Sequence, residues 1–231
     1  MAKDLLKYAA ELIVENGNRE VDISLLANRA DVSRAAIYGR FGKSAKATIF
    51  REILREFLVS AQNSIGLVIT SVDPASSPME KLAAVFRATL ATFKASPTFG
   101  KVVLRELHVR DQKAGEPLLQ IFAQVDCLLK EAKAKGHLAP EVSERLDGWK
   151  IRQILFSVNR ALFRGFFLEE GFPVDEHGKP QHMTRRTSKL TEKDVEIEML
   201  RVLKIYCSDE IAKKIQNTID LLLKAESRKI T

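Results

Sequence analysis

Apolar positions recur along this chain every three or four residues, and no stretch alternates with the two-residue period of a strand, so the pattern predicts helices throughout. Leu5, Ala9, Leu12 and Ile13 form the inner face of a first helix that ends near Asn16-Gly17. Residues 22–41, DISLLANRADVSRAAIYGRF, divide into two short helices around a tight turn. Asp22 is placed to cap the first of these, whose Ile23, Leu26, Ala27 and Ala30 share one face. Asp31 falls where the chain must turn sharply, a place that suits Gly best and Asn or Asp next. Ser33 caps the second helix, with Val32 and Ile37 at the spacing of a hydrophobic staple.

A long helix follows over about 44–70, carrying Ile49, Ile53, Phe57, Ala61 and Ile65 at fourfold spacing. Asp73-Pro74 and Ser77-Pro78 break the chain, and Ser77 is the expected cap of a helix over 79–95. Ser96-Pro97 breaks it again before a shorter helix through about Val109. Gly115-Glu116-Pro117 opens the next, with Leu118, Ile121, Phe122, Val125, Leu128 and Leu129 inward and Gly136 at its end. Pro140 precedes one helix over about 141–169, in which Trp149, Phe156, Phe163 and Phe167 read as core packing, with a ligand cavity between helices as the alternative. Arg152 and Arg160 on that helix either bind an acidic group or make salt bridges between subunits. Residues 171–190 lack periodicity and read as a long loop. Thr191 and Asp194 open a helix to about Cys207, and Ser208 or Asp209 caps a last one bearing Ile211, Ile215, Ile219 and Leu222.

Charge makes the second short helix of residues 22–41 stand out. Ile37 and Phe41 suffice to anchor it, leaving Arg34, Ala35, Tyr38 and Arg40 outward. Ala35 and Ala36 allow close approach to base edges, and Arg34 has the reach for the O6/N7 edge of a guanine. The whole chain of 231 residues is +7, but residues 29–51 alone hold six basic side chains (Arg29, Arg34, Arg40, Lys43, Lys46, Arg51) against Asp31. Such a cluster neutralises phosphates and gives salt-sensitive binding to duplex DNA. The plainer reading of the same residues is a helical hairpin with a solvated basic face.

At these residues the chain resembles the DNA-binding head of the TetR family of bacterial regulators. The similarity is carried by Leu26-Ala27, the turn at Asp31, Val32-Ser33, the short helix from Arg34 to Ile37, and Tyr38-Gly39-Arg40-Phe41. It covers about the first 60 residues in motif and the remainder in helical layout and length. By position, the resemblance implies that Ser24 and Ser33 touch phosphates, that Arg34, Ala35 and Ala36 face bases, and that Tyr38 and Arg40 hold the backbone. The family usually has Gly where Asp31 stands. It also has a phosphate-binding Lys early in the fourth helix, for which Lys46 is the preferred counterpart and Lys43 the rival.

The resemblance further implies an all-α chain with a three-helix helix–turn–helix domain at 1–46 and a helical ligand-binding and dimerisation domain at 47–231. It implies a homodimer, joined through helices at about 141–169 and 191–207 or 209–229, that binds a pseudo-palindromic operator on double-stranded DNA. An unknown small-molecule effector would relieve repression. The alternative is an all-α ligand-binding or adaptor protein whose head docks onto a protein partner.

Other chemistry is not encouraged by the residues. His108, His137, His177 and His182 form no metal-binding spacing with Cys127 and Cys207, and no phosphate-cradling Gly-rich loop or nucleophile elbow occurs. His108 with Glu106 and Asp111 reads as a surface charge mixture. We therefore expect no enzyme, no cofactor and no metal. The longest uncharged run, Phe57 to Val72, is too short and polar to span a bilayer, and the N-terminus lacks a secretory core. Two widely spaced cysteines suit free buried thiols in a reducing cytoplasm.

Overall fold

The computed structural model describes residues 2–16, 21–106, 115–168 and 191–227. Their regular structure is helical, with one isolated β-bridge between Leu138 and Cys207. The order is α1 (Ala2–Asn16), α2 (Ile23–Arg29), α3 (Arg34–Phe41), α4 (Ala45–Ser71), α5 (Pro78–Ala95), α6 (Pro97–Glu106), α7 (Gly115–Ala134), α8 (Pro140–Arg145), α9 (Gly148–Phe167), α10 (Glu192–Ile205) and α11 (Asp209–Ser227). The chain is all-α, as the periodicity predicts. No described helix is long and apolar enough to cross a membrane.

Two compact units are present, Met1–Ser64 with Ala91–Gln120 and Ile65–Leu90 with Ile121–Thr231. A packing unit therefore includes more than the 1–46 segment assigned to DNA binding; that assignment concerns function. In the first unit α1 packs against α2 and α6, and α2 against α3. The faces predicted for these helices are the buried ones: Leu5, Ala9, Leu12 and Ile13 of α1, and Ile49, Ile53, Phe57 and Ala61 of α4. The Arg105 guanidinium on α6 donates to the Val14 carbonyl at 2.9 Å, satisfying an end group of α1 that has no partner within its own helix. The Phe57 and Phe93 rings meet edge to face, 4.7 Å between centroids. Gly100 lies beside them because a Cβ there would stand 2.6 Å from Phe93 Cδ1.

In the second unit α10 packs against both α9 and α11 and buries Val195, Ile197, Met199, Leu200 and Leu203. Thr191 and Asp194 form a reciprocal capping box at its start. α5 begins with another: the Ser77 N–H donates to Glu80 Oε2 at 2.8 Å, and the Glu80 N–H to Ser77 Oγ at 3.2 Å. Partial burial pushes the Glu80 carboxyl up, but the Ser77 hydrogen bonds and the Lys214 charge outweigh it, leaving its pKa below the ordinary value. Cys207 is buried and its thiol donates to the Leu203 carbonyl at 3.3 Å. Burial pushes that thiol up to about 12, so it stays protonated at neutral pH.

Three expectations need correction. The single helix over 141–169 is two, α8 and α9, because Leu146 and Asp147 are extended and Asp147 precedes a new helix start at Gly148. Trp149 is not core: standing in the first turn after that break, it is 54% exposed, while Phe163 is buried. Cys127 is exposed, as its place on α7 puts it outside the stripe of Leu118, Phe122, Val125 and Leu129. Both cysteines are free. Arg152 pairs within its own chain, 3.0 Å from Asp126 and with its guanidinium 4.5 Å above the Phe122 ring. The readings at 171–190, including His177 and His182, and those at His108 and Asp111 lie outside the described residues.

Two stability measurements check this packing. Gly100→Ala should destabilise the protein by ~1–2 kcal/mol in denaturant unfolding, since overpacking against Phe93 exceeds the gain of about 1 kcal/mol in helix propensity. Gly66→Ala on α4, where a Cβ meets open space, should instead stabilise it. Because the folded Glu80 pKa is depressed, its carboxylate contributes stability above the unfolded pKa and loses it as pH falls through the folded one. Melting curves of Glu80→Gln and the parent chain should therefore differ near neutral pH and converge in acid.

Candidate nucleic-acid interface

The turn between α2 and α3 is built as its residues suggest. Asp22 is extended and its carboxylate accepts from the N–H groups of Ser24, at 2.7 Å, and Leu25, at 3.2 Å. Ile23, Leu26 and Ala27 are buried. Asp31 then adopts a φ of 51°, the left-handed region in which a side chain is normally disfavoured. The Val32 N–H returns to the Ala27 carbonyl at 3.0 Å and closes the turn. Ser33 caps α3 by accepting from the Ala36 N–H at 3.1 Å.

α3 buries only Ile37 and Phe41. Arg34, Ala35, Ala36, Tyr38 and Arg40 are all exposed, so one side of this helix is free to meet a partner. The Arg40 guanidinium lies 4.8 Å over the Phe41 ring, which limits the rotamers it samples. Gly42 ends the helix at φ 76°, with its N–H on the Tyr38 carbonyl at 2.8 Å. That conformation, with ψ at −176°, is essentially open to glycine alone. It directs the chain into α4.

The basic residues fall into two groups. Lys43 and Ser44 occupy the exposed turn, and Lys46 is exposed in the first turn of α4. A cation there opposes the positive end of the helix, so it does not stabilise α4 through the helix dipole. Neither α3 nor α4 has an acidic residue in its first turn. Ser24 is exposed at the start of α2, and its N–H donates to Asp22. Arg29, counted with the basic cluster, is instead held by Glu15 in a bidentate pair with both distances 2.9 Å. The Arg29 guanidinium lowers the Glu15 carboxyl below its ordinary range. Arg29 thus ties α2 to α1, and the spacing of charges along the chain gave no sign of it because Glu15 lies in another helix. Among the described residues no group of three or more His, Cys, Asp or Glu side chains is placed to hold a metal ion.

Residues 5–53 match the family described as bacterial regulatory proteins, tetR family. No curated protein matches the chain. Among solved structures, the fatty acid degradation regulator FadR from Bacillus halodurans superposes with a TM-score of 0.64 at 20% identity, over 88% of this chain and 92% of that one. A TetR-family transcriptional regulator from Marinobacter aquaeolei VT8 gives 0.57 at 14% identity, over 95% and 97%. At these identities the likeness concerns the fold. The head is therefore a TetR-family N-terminal domain, and the chain as a whole has the fold of TetR-family regulators.

Proposed function

We propose that this chain is a homodimeric, sequence-specific DNA-binding regulator, a repressor whose operator binding is relieved by a small-molecule effector. Residues 1–46 form its DNA-binding domain and 47–231 its ligand-binding and dimerisation domain. The observation that carries the reading is α3, which spends two side chains on its anchorage and leaves five outward. Arg34, Ala35 and Ala36 at its N-terminal end face the bases. Ser24, Ser33, Tyr38, Arg40 and Lys46 hold phosphates, with Lys43 beside Lys46 as the rival for its role.

One short helix reads few base pairs, so two are needed, held about one DNA turn apart. The second unit supports a particular choice of dimer helices. α10 spends Val195, Ile197, Met199, Leu200 and Leu203 on the subunit core and exposes Ile205 at its last position, whereas α9 exposes Trp149 and Ile154 and α11 exposes Leu221 and Leu223. We assign α9 and α11 to the four-helix interface. An effector acts by binding one arrangement of the two heads better than another, which shifts the population between them.

Selection from random duplex DNA should yield a pseudo-palindrome whose affinity falls steeply with salt. No preference over random duplex would overturn the reading. On the selected operator, Arg34→Ala should cost ~1–3 kcal/mol and relax one position, whereas Tyr38→Phe or Lys46→Gln should weaken all sequences about equally. Asp31→Gly relieves the left-handed strain and removes a negative charge; it should raise both the melting temperature and operator affinity. Trp149→Glu combined with Leu221→Glu should give monomers by analytical ultracentrifugation and lose operator binding with the head still folded.

A further inference from the structure

We propose that an open cleft on α4 and the start of α7, both within the first compact unit, binds a hydroxyl-bearing organic phosphate as effector. The cleft has a volume of about 520 Å³, the size of a site for a sugar phosphate or a nucleotide. Arg51, Glu52 and Arg55 line it from α4, Val59 and Gln62 continue along the same helix, and Glu116 and Gln120 of α7 lie across from them.

The two arginines give the cleft its chemistry. They stand one turn apart on α4, a spacing at which like charges destabilise a helix. The hydrogen bond of Arg51 is to the neutral Thr48 hydroxyl at 3.3 Å, and neither guanidinium pairs with a carboxylate among the described residues. Glu116, also on the cleft, accepts from Gln120 instead at 3.0 Å, and Gln120 in turn accepts from Gln62. Two exposed planar cations directed into one concavity fit a phosphate, which guanidinium forks bind through paired hydrogen bonds. The carboxylates of Glu52 and Glu116 and the amides of Gln62 and Gln120 suit hydroxyl groups. Val59 and Pro117 supply apolar side chains to the lining, and the other side chains that border it are polar or charged. The same helix carries Lys46 in its first turn, so a ligand seated on α4 touches the element that leads out of the recognition helix.

This inference rests on the regulator reading above for the effector role, but the binding itself is measured without DNA. Isothermal titration calorimetry on the full chain would use ribose 5-phosphate and adenosine monophosphate as probes, with ribose and inorganic phosphate as controls. We expect saturable binding of at least one phosphate ester, absent for ribose and weaker for inorganic phosphate. The double variant Arg51→Gln, Arg55→Gln changes two exposed side chains and should weaken that binding at least tenfold; Lys213→Gln on α11 should leave it unchanged. Failure of both esters to bind, undiminished binding in the double variant, or inorganic phosphate binding as tightly as the esters would overturn the site. A bound ester that leaves the affinity for a selected operator unchanged would overturn the effector role.

Discussion

The protein depends on how little of α3 is needed to hold it. Burying Ile37 and Phe41, four residues apart, anchors an eight-residue helix on one side. An isolated helix of that length is unstable in water, so its order comes from packing and caps rather than propensity. Ser33 supplies the cap at one end and Gly42 the turn at the other. With those in place the remaining side chains, apart from the Arg40 guanidinium over the Phe41 ring, carry no structural duty, and the helix can present arginine, tyrosine and small residues to a groove.

The scaffold behind it is fixed by contacts from distant parts of the chain. Arg29 is clamped to Glu15, and Arg105 of α6 closes the last turn of α1. α1 therefore receives support from both α2 and α6, and the head belongs to a larger compact unit that contains the first part of α4 and the start of α7. A ligand bound anywhere in that unit acts on the same body that carries the recognition helix. This is the physical basis for placing an effector site on α4 rather than only in the helices of the second unit.

Periodicity and capping residues made most of the helices legible in the sequence, because most bury an apolar stripe and several begin at a capping Ser, Thr or Asp. The caps at Asp22, Ser33, Ser77 and Thr191 are all made by the residues expected. The turn at Asp31 was legible for the same local reason. What failed was of longer range or finer register. The break before Gly148 interrupts an apolar pattern that continues on both sides, so periodicity ran through it and placed Trp149 inside. The partners of Arg29, Arg105 and Arg152 lie 14, 91 and 26 residues away along the chain, beyond any spacing rule. The cleft at Arg51 and Arg55 had no motif to announce it, since its two walls are separated by some fifty residues. Among the site residues, exposure of Arg34, Ala35, Ala36, Tyr38 and Arg40 follows from the helical period alone, whereas the roles proposed for them toward DNA rest on the family pattern.

The central claim is that two such helices are held at the spacing of successive major grooves. Gly39 sits on α3 where an added Cβ meets nothing, and Cys207 is buried, so a spin label on Gly39→Cys in a Cys127→Ser background would report the distance between heads. On a selected operator the account predicts one narrow distance distribution near ~34 Å, one turn of the double helix. An absence of any label-to-label distance, or a narrow distribution far from that spacing on operator DNA, would contradict it.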